Sequence, residues 1–180
     1  MISRRNFLKG TIASICGYQL GSLQGVFASA GTKSATERAL KLYNIHTGEI
    51  LYTRYWLEGK YIQEEVSRIN YFLRCHYTNV VKPISIQVID LLCEIKNRFA
   101  IGREVTIISG YRSPEYNQRL QSLGRHVAGD SLHLGGLAID FAIPGISIEK
   151  LAKAALQLQA GGVGIYRTFV HIDVGRVRHW

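Results

Sequence analysis

Between Leu137 and Ile143 the chain is apolar at every position except Asp140. Such a run reads as a buried strand, and a carboxylate inside one needs a strong partner, because an unpaired charge away from water is very unfavourable. Seven positions earlier stands His133, in Ser131-Leu132-His133-Leu134-Gly135-Gly136. On one continuous strand these two residues would lie about 23 Å apart and point to opposite faces. They meet only if the chain folds back, and Gly135-Gly136 offers the place to turn. A third residue of the same chemistry follows in Phe169-Val170-His171-Ile172-Asp173. At strand period Phe169, His171 and Asp173 share one face, while Val170, Ile172 and Val174 make the apolar other.

Two imidazoles and one carboxylate are the donors of a catalytic zinc that keeps a fourth position for water, whose pKa falls toward about 7. The same residues also read as a hydrogen-bonded structural His–Asp pair, and spacing leaves both readings open. The remaining histidines, His46, His76, His126 and His179, fit surface or structural positions, with His126 and His179 the nearer rivals. Cys–x–x–Cys and Cys–His zinc patterns are absent from the sequence, so any metal must use His and carboxylate.

The other elements fit around this pattern as one domain. Arg38–Ile45, a Thr47-Gly48 turn and Glu49–Trp56 read as a β-hairpin. Val66, Ile69 and Leu73 recur at helical spacing, as do Ile86, Ile89, Leu92 and Cys93. Val105–Ser109 is a short strand. Ser113-Pro114-Glu115 opens a helix with a capping serine, proline in the first turn and an acid at the positive dipole end. Residues 124–136 are glycine-rich loop, Leu137–Ile143 is a strand, and Ser147 caps a helix over Ile148–Gln159. Val163–Tyr166 and Phe169–Val174 close the domain. Without regular βαβ alternation, this order predicts an α+β fold with a mostly antiparallel sheet and flanking helices.

The first thirty residues stand apart. Ser3-Arg4-Arg5-Asn6-Phe7-Leu8-Lys9 precedes a mildly apolar stretch, Thr11–Phe27, and Ala28-Ser29-Ala30 offers a signal-peptidase site. The order of charge, apolar stretch and small residues resembles a twin-arginine signal, with cleavage expected after Ala30 and residues 31–37 left as a short leader. Cleavage removes Arg4, Arg5 and Lys9 and no acids, lowering the net charge from +9 to +6. A basic exported chain is drawn to anionic envelope polymers. With no basic helix and no aromatic ladder in a Lys/Arg stripe, nucleic acid is not an expected partner. Nor is stable membrane insertion expected after cleavage, since glycine and glutamine interrupt the apolar stretch. Cys75 and Cys93 remain, either as a disulfide or as two buried small hydrophobes.

Ser131-x-His133-x-x-Gly136-x-Ala138-x-Asp140 resembles the signature of the D-alanyl-D-alanine carboxypeptidase group of zinc peptidases, which shares its metal-site plan with lysostaphin and the hedgehog signalling domain. Ile108-Ser109-Gly110-Tyr111-Arg112-Ser113-Pro114, Gly162-Val163-Gly164-Ile165-Tyr166 and Phe169 to Arg178 resemble, more closely, the YcbK/MepK-like murein endopeptidases. The likeness covers residues 37–180. It implies a hedgehog/D-Ala-D-Ala peptidase-like fold, zinc on His133, Asp140 and His171, and peptidoglycan stem peptides as substrate. It also implies a periplasmic location and cleavage at bonds of meso-diaminopimelate by a chain expected to be monomeric.

Site roles follow from the same likeness. Arg112 is expected to steady the developing oxyanion, a task suited to a permanently charged fork of donors. Ser131 and Tyr111 are expected at the substrate. Many relatives carry an acid shortly before the last histidine as general base; here that position is Thr168. Asp173 is the nearest carboxylate, and is expected either to take the proton as general base or to orient His171. The departure at Thr168 keeps a second class of function in play, a non-catalytic zinc-stabilised wall-binding module. A third is a D,D- or L,D-carboxypeptidase on the same scaffold.

Overall fold

The computed structural model describes residues 36–99, 102–125 and 127–180. The signal over 1–30 with its Cys16, residues 31–35 of the leader and His126 lie outside the described residues. Among the described residues no helix is long and apolar enough to cross a membrane.

The hairpin pairs β1 (Glu37–Asn44) with β2 (Ile50–Leu57), antiparallel, Leu42 facing Leu51. Alternation decides the faces: Leu51, Thr53 and Tyr55 are buried while Ile50, Tyr52 and Arg54 are exposed, as a pleat with one wet side requires. A turn through Glu58 and Gly59, both at positive φ, adds β3 (Lys60–Tyr61). Then come α1 (Gln63–Phe72), α2 (Ile86–Asn97), β4 (Glu104–Ser109) and α3 (Pro114–Ser122). The capping of α3 is the expected one, Ser113 Oγ accepting from the Tyr116 amide at 3.2 Å. A 3-10 turn over Leu132–Gly135 leads to β5 (Ala138–Ala142), α4 (Ile148–Leu156), β6 (Gly162–Ile165), β7 (Val170–Asp173) and β8 (Arg178–His179).

The eight strands form one sheet in the order β3-β2-β1-β4-β5-β7-β6-β8. The domain is α+β, but the expectation of a mostly antiparallel sheet needs correction, because the sheet is mixed. β1 lies parallel to β4, and β6 parallel to β8. A parallel pairing needs a crossover of a dozen residues or more, and between β1 and β4 the rest of the hairpin with α1 and α2 supplies it. α4 also stops at Leu156, short of Gln159, which sits at φ 47° and cannot continue a right-handed helix.

Val88, Ile89, Leu92 and Ile95 of α2 and Leu151, Ala152 and Ala155 of α4 are buried with Val105, Ile107, Ile139, Phe141, Val170 and Ile172 of the strands. Because side chains alternate along β5 and β7, this core uses Ile139, Phe141, Val170 and Ile172 and leaves Asp140, His171 and Asp173 on the other face. Among the described residues Cys75 and Cys93 are both buried and form no disulfide. Cys75 Sγ lies 3.5 Å from Ser113 Oγ, and Cys93 Sγ lies 3.9 Å from the Ala39 carbonyl.

Candidate metal centre

Three elements carry the site. The antiparallel register of β5 and β7 sets Asp140 directly opposite His171 and Ala138 opposite Asp173. The 3-10 turn carries His133, and the chain enters β5 through Gly136 in the left-handed region at φ 68°. A Cβ at Gly136 would overlap the Pro83 carbonyl, so glycine is needed there for conformation and for space. This is the fold-back that the seven-residue spacing required.

His133 Nε2, Asp140 Oδ1 and His171 Nδ1 converge, at 3.2 Å (His133–Asp140), 3.1 Å (His133–His171) and 2.8 Å (Asp140–His171). All three residues are buried. The outer ring nitrogens fix the tautomers. His133 Nδ1 lies 2.7 Å from the Gly110 carbonyl, which only accepts, so the proton sits on Nδ1. His171 Nε2 lies 3.2 Å from Asp173 Oδ2 and donates to it. Neutral imidazoles so arranged turn two bare lone pairs onto one carboxylate oxygen, three acceptors with no donor among them. A single proton relieves one of these contacts; a metal cation relieves all three. The separations are slightly tighter than the roughly 3.4 Å between donors of a tetrahedral zinc, a difference that small side-chain shifts accommodate. Among the described residues, His133, Asp140 and His171 form the one group of three or more such side chains able to hold a metal ion.

The titration directions describe the same cluster with protons, rather than a metal, between its atoms. Burial pushes the Asp140 carboxyl up, but His133 and His171 beside it more than reverse this and hold it well below the usual range. Burial pushes the His171 imidazole down, while Asp140 and Asp173 on its two edges raise it further than burial lowers it. Asp173 is fully buried. Burial pushes its carboxyl up, and hydrogen bonds from His171, Arg178 and the Gly162 and Gly175 amides overcome this and leave it strongly depressed. Arg178 grips Asp173 at both ends, Nη2 to Oδ2 at 2.8 Å and Nη1 to Oδ1 at 3.2 Å. A Cβ on Gly162 would overlap this pair, which explains the glycine. Asp173 as general base does not fit these surroundings. It stands at Nε2, on the opposite ring edge from the three converging atoms, and a carboxylate so stabilised is a weak proton acceptor.

Arg112 is buried in the wall of a cleft of about 1010 Å³ that is also lined by His133, Asp140 and His171. Its Nη2 is 3.7 Å from Asp140 Oδ2, and its Nε has no hydrogen-bond partner among the described residues. Asn117 Oδ1 accepts from Arg112 Nη1 at 3.3 Å, and the Arg112 backbone amide donates to the His133 carbonyl. Ser131 lines the cleft. Tyr111 does not: it is buried in the core, its amide donating to the Leu73 carbonyl at 2.8 Å, so the expectation that it meets substrate is corrected. His46 and His76 stack on each other at 3.8 Å, and His179 lies in β8.

Three contributors escaped sequence reasoning: Arg178, Asn117 and Trp180. The Trp180 ring tilts against His171 at 5.3 Å, and a Cβ on Gly164 would press into it. A signal existed for Arg178 alone. Asp173 is a second acid on the buried strand, and it demanded a counter-charge as Asp140 did.

The family described as Peptidoglycan L,D-endopeptidase MepK, of the M15 peptidases, matches residues 32–180. The chain belongs to this family. The chain is 41% identical over 155 residues, 85% of each chain, to Peptidoglycan L,D-endopeptidase MepK of Escherichia coli K12. Probable peptidoglycan L,D-endopeptidase MepK of Haemophilus influenzae is 34% identical over 146 residues, covering 79% of this chain and 78% of its own. No solved structure gives a significant match. Within the family stretch lie all the cleft residues described above.

Proposed function

We propose that the chain is a zinc-dependent endopeptidase of peptidoglycan peptide crosslinks, acting at bonds of meso-diaminopimelate on a D-Ala-D-Ala peptidase-like scaffold. In this reading it works in the periplasm as a monomer, exported through the twin-arginine signal over 1–30 and cut after Ala30. One observation carries the metal assignment: three buried acceptors face one point with both histidine tautomers locked from behind. Family membership carries the substrate class.

His133, Asp140 and His171 would hold the zinc. A bound zinc supplies Lewis-acid polarisation of the amide carbonyl and brings a water's pKa toward neutrality. The protein's residues do the rest. Arg112, buried and with Nε free, holds the developing oxyanion, where a desolvated guanidinium stabilises most. Asp173 keeps the His171 proton on Nε2 and so keeps Nδ1 bare, the usual work of a carboxylate behind a ligand histidine. Ser131 borders the substrate. Asn117 and the His133 carbonyl hold Arg112 in place.

The test is turnover of crosslinked muropeptides by the mature chain, with and without zinc. Cleavage of the crosslink that needs zinc is expected. Intact peptides across several crosslink types would overturn the proposal, and release of a terminal D-alanine would instead identify a carboxypeptidase. A second reading, the non-catalytic wall-binding module, draws on one observation. Thr168 replaces the upstream acid, and Asp173 is committed to His171 and Arg178, leaving Asp130 as the remaining acid beside Asp140 in the cleft lining. Binding to sacculi without turnover would favour it.

A further inference from the structure

Two of the four arginines lining the cleft are neutralised by acids, and two are not. Arg112 faces Asp140 and Arg178 is clasped by Asp173. Arg125 and Arg176 also line the cleft and are exposed. Among the described residues, neither has an acidic partner within 4.0 Å. Arg176 is tied to the site through its backbone, its carbonyl accepting from Arg178 Nη1 at 3.1 Å while Arg178 is locked to Asp173. The cleft also has an aromatic wall. Tyr166 and Phe169 stack at 4.4 Å, and the Trp180 indole N–H donates to Tyr166 Oη at 3.1 Å. Uncompensated guanidinium groups in a cleft attract anions, and their fork geometry selects carboxylates. A flat aromatic wall suits an aliphatic stem.

Resting on the endopeptidase reading, we infer that Arg176 and Arg125 form a specificity subsite for a free carboxylate carried next to the scissile amide, with the adjoining aliphatic chain against Tyr166 and Phe169. The subsite reads one carboxylate, unlike the general pull of a basic protein on a polyanion, which is indifferent to the loss of a single charge at one place.

The experiment uses the zinc-loaded mature chain and two crosslinked muropeptides that differ only in whether the carboxylate beside the scissile amide is free or amidated. The wild type is expected to prefer the free form by roughly tenfold or more in kcat/KM, chiefly through KM, as a charge-assisted pair predicts. Arg176→Gln and Arg125→Gln together are expected to bring that ratio within about twofold, with zinc content unchanged as the check on folding. A wild-type ratio near one overturns the inference, as does a double variant that keeps the preference or slows both peptides equally. If zinc is bound and neither peptide is cut, the endopeptidase reading fails. The two dissociation constants, measured by calorimetry, then decide the subsite: equal values overturn it, tighter binding of the free carboxylate sustains it.

Discussion

Two aspartates in this fold, Asp90 half-buried and Asp140 buried, sit in opposite circumstances. Asp90 on α2 receives the Tyr55 hydroxyl at 2.9 Å on one oxygen and the Tyr61 hydroxyl at 2.6 Å on the other, with Arg38 also paired to it. Each acceptor there meets a donor. Asp140 is the reverse: two bare imidazole nitrogens face Oδ1, and Arg112 stays 3.7 Å from Oδ2. Satisfied polar clusters hold a fold together, whereas buried acceptors left facing one another are costly unless something positive joins them. The contrast separates a structural network from a binding site on hydrogen-bond inventory alone.

The contrast breaks most sharply if His133→Ala leaves metal content and muropeptide turnover intact. We expect turnover to fall by about a thousandfold or more and stoichiometric metal to be lost, measured by elemental analysis beside a turnover assay. Next in size is Asp173→Asn, which loosens the His171 tautomer and leaves Arg178 without a counter-charge. Metal affinity should fall about 10- to 100-fold by chelator competition, with the remaining holoenzyme still active; an unchanged affinity would remove the positioning role.

Acidity acts on the same centre. Carboxylates on both edges raise the His171 pKa, and the metal must displace that proton. Apparent affinity should therefore decline as pH falls through the raised value, by up to about tenfold per unit, and level off above it. A flat titration would mean that His171 is not a ligand. The smallest effect belongs to the other cluster. Tyr55→Phe should cost about 1 kcal/mol in denaturant unfolding and leave metal content untouched, and loss of metal there would erase the distinction between the two aspartates.

Much of this was legible in advance because the signals were local. The lone acid in Leu137–Ile143, the glycine pair after His133 and the alternation around His171 each limited where a side chain could point. Ser113 and Ser147 marked helix starts by capping chemistry. What escaped was pairing at a distance. A two-residue strand such as β3 or β8 has no period to detect, and the parallel partnership of β1 with β4 depends on how far α1 and α2 carry the chain. Tyr111 misled because its neighbour Arg112 lines the cleft while Tyr111 itself is buried in the core. Arg178 had only an indirect signal, the second acid Asp173 on a buried strand in need of a counter-charge.

The order of the sheet has a further outcome. Its two borders are β3 and β8, each two residues long. β3 covers only Trp56 and Leu57 of β2, so among the described residues the outer edge of β2 from Ile50 to Thr53 has no strand partner. That stretch, with Ile50 and Tyr52 exposed, is where the sheet stays open to pairing with a further strand.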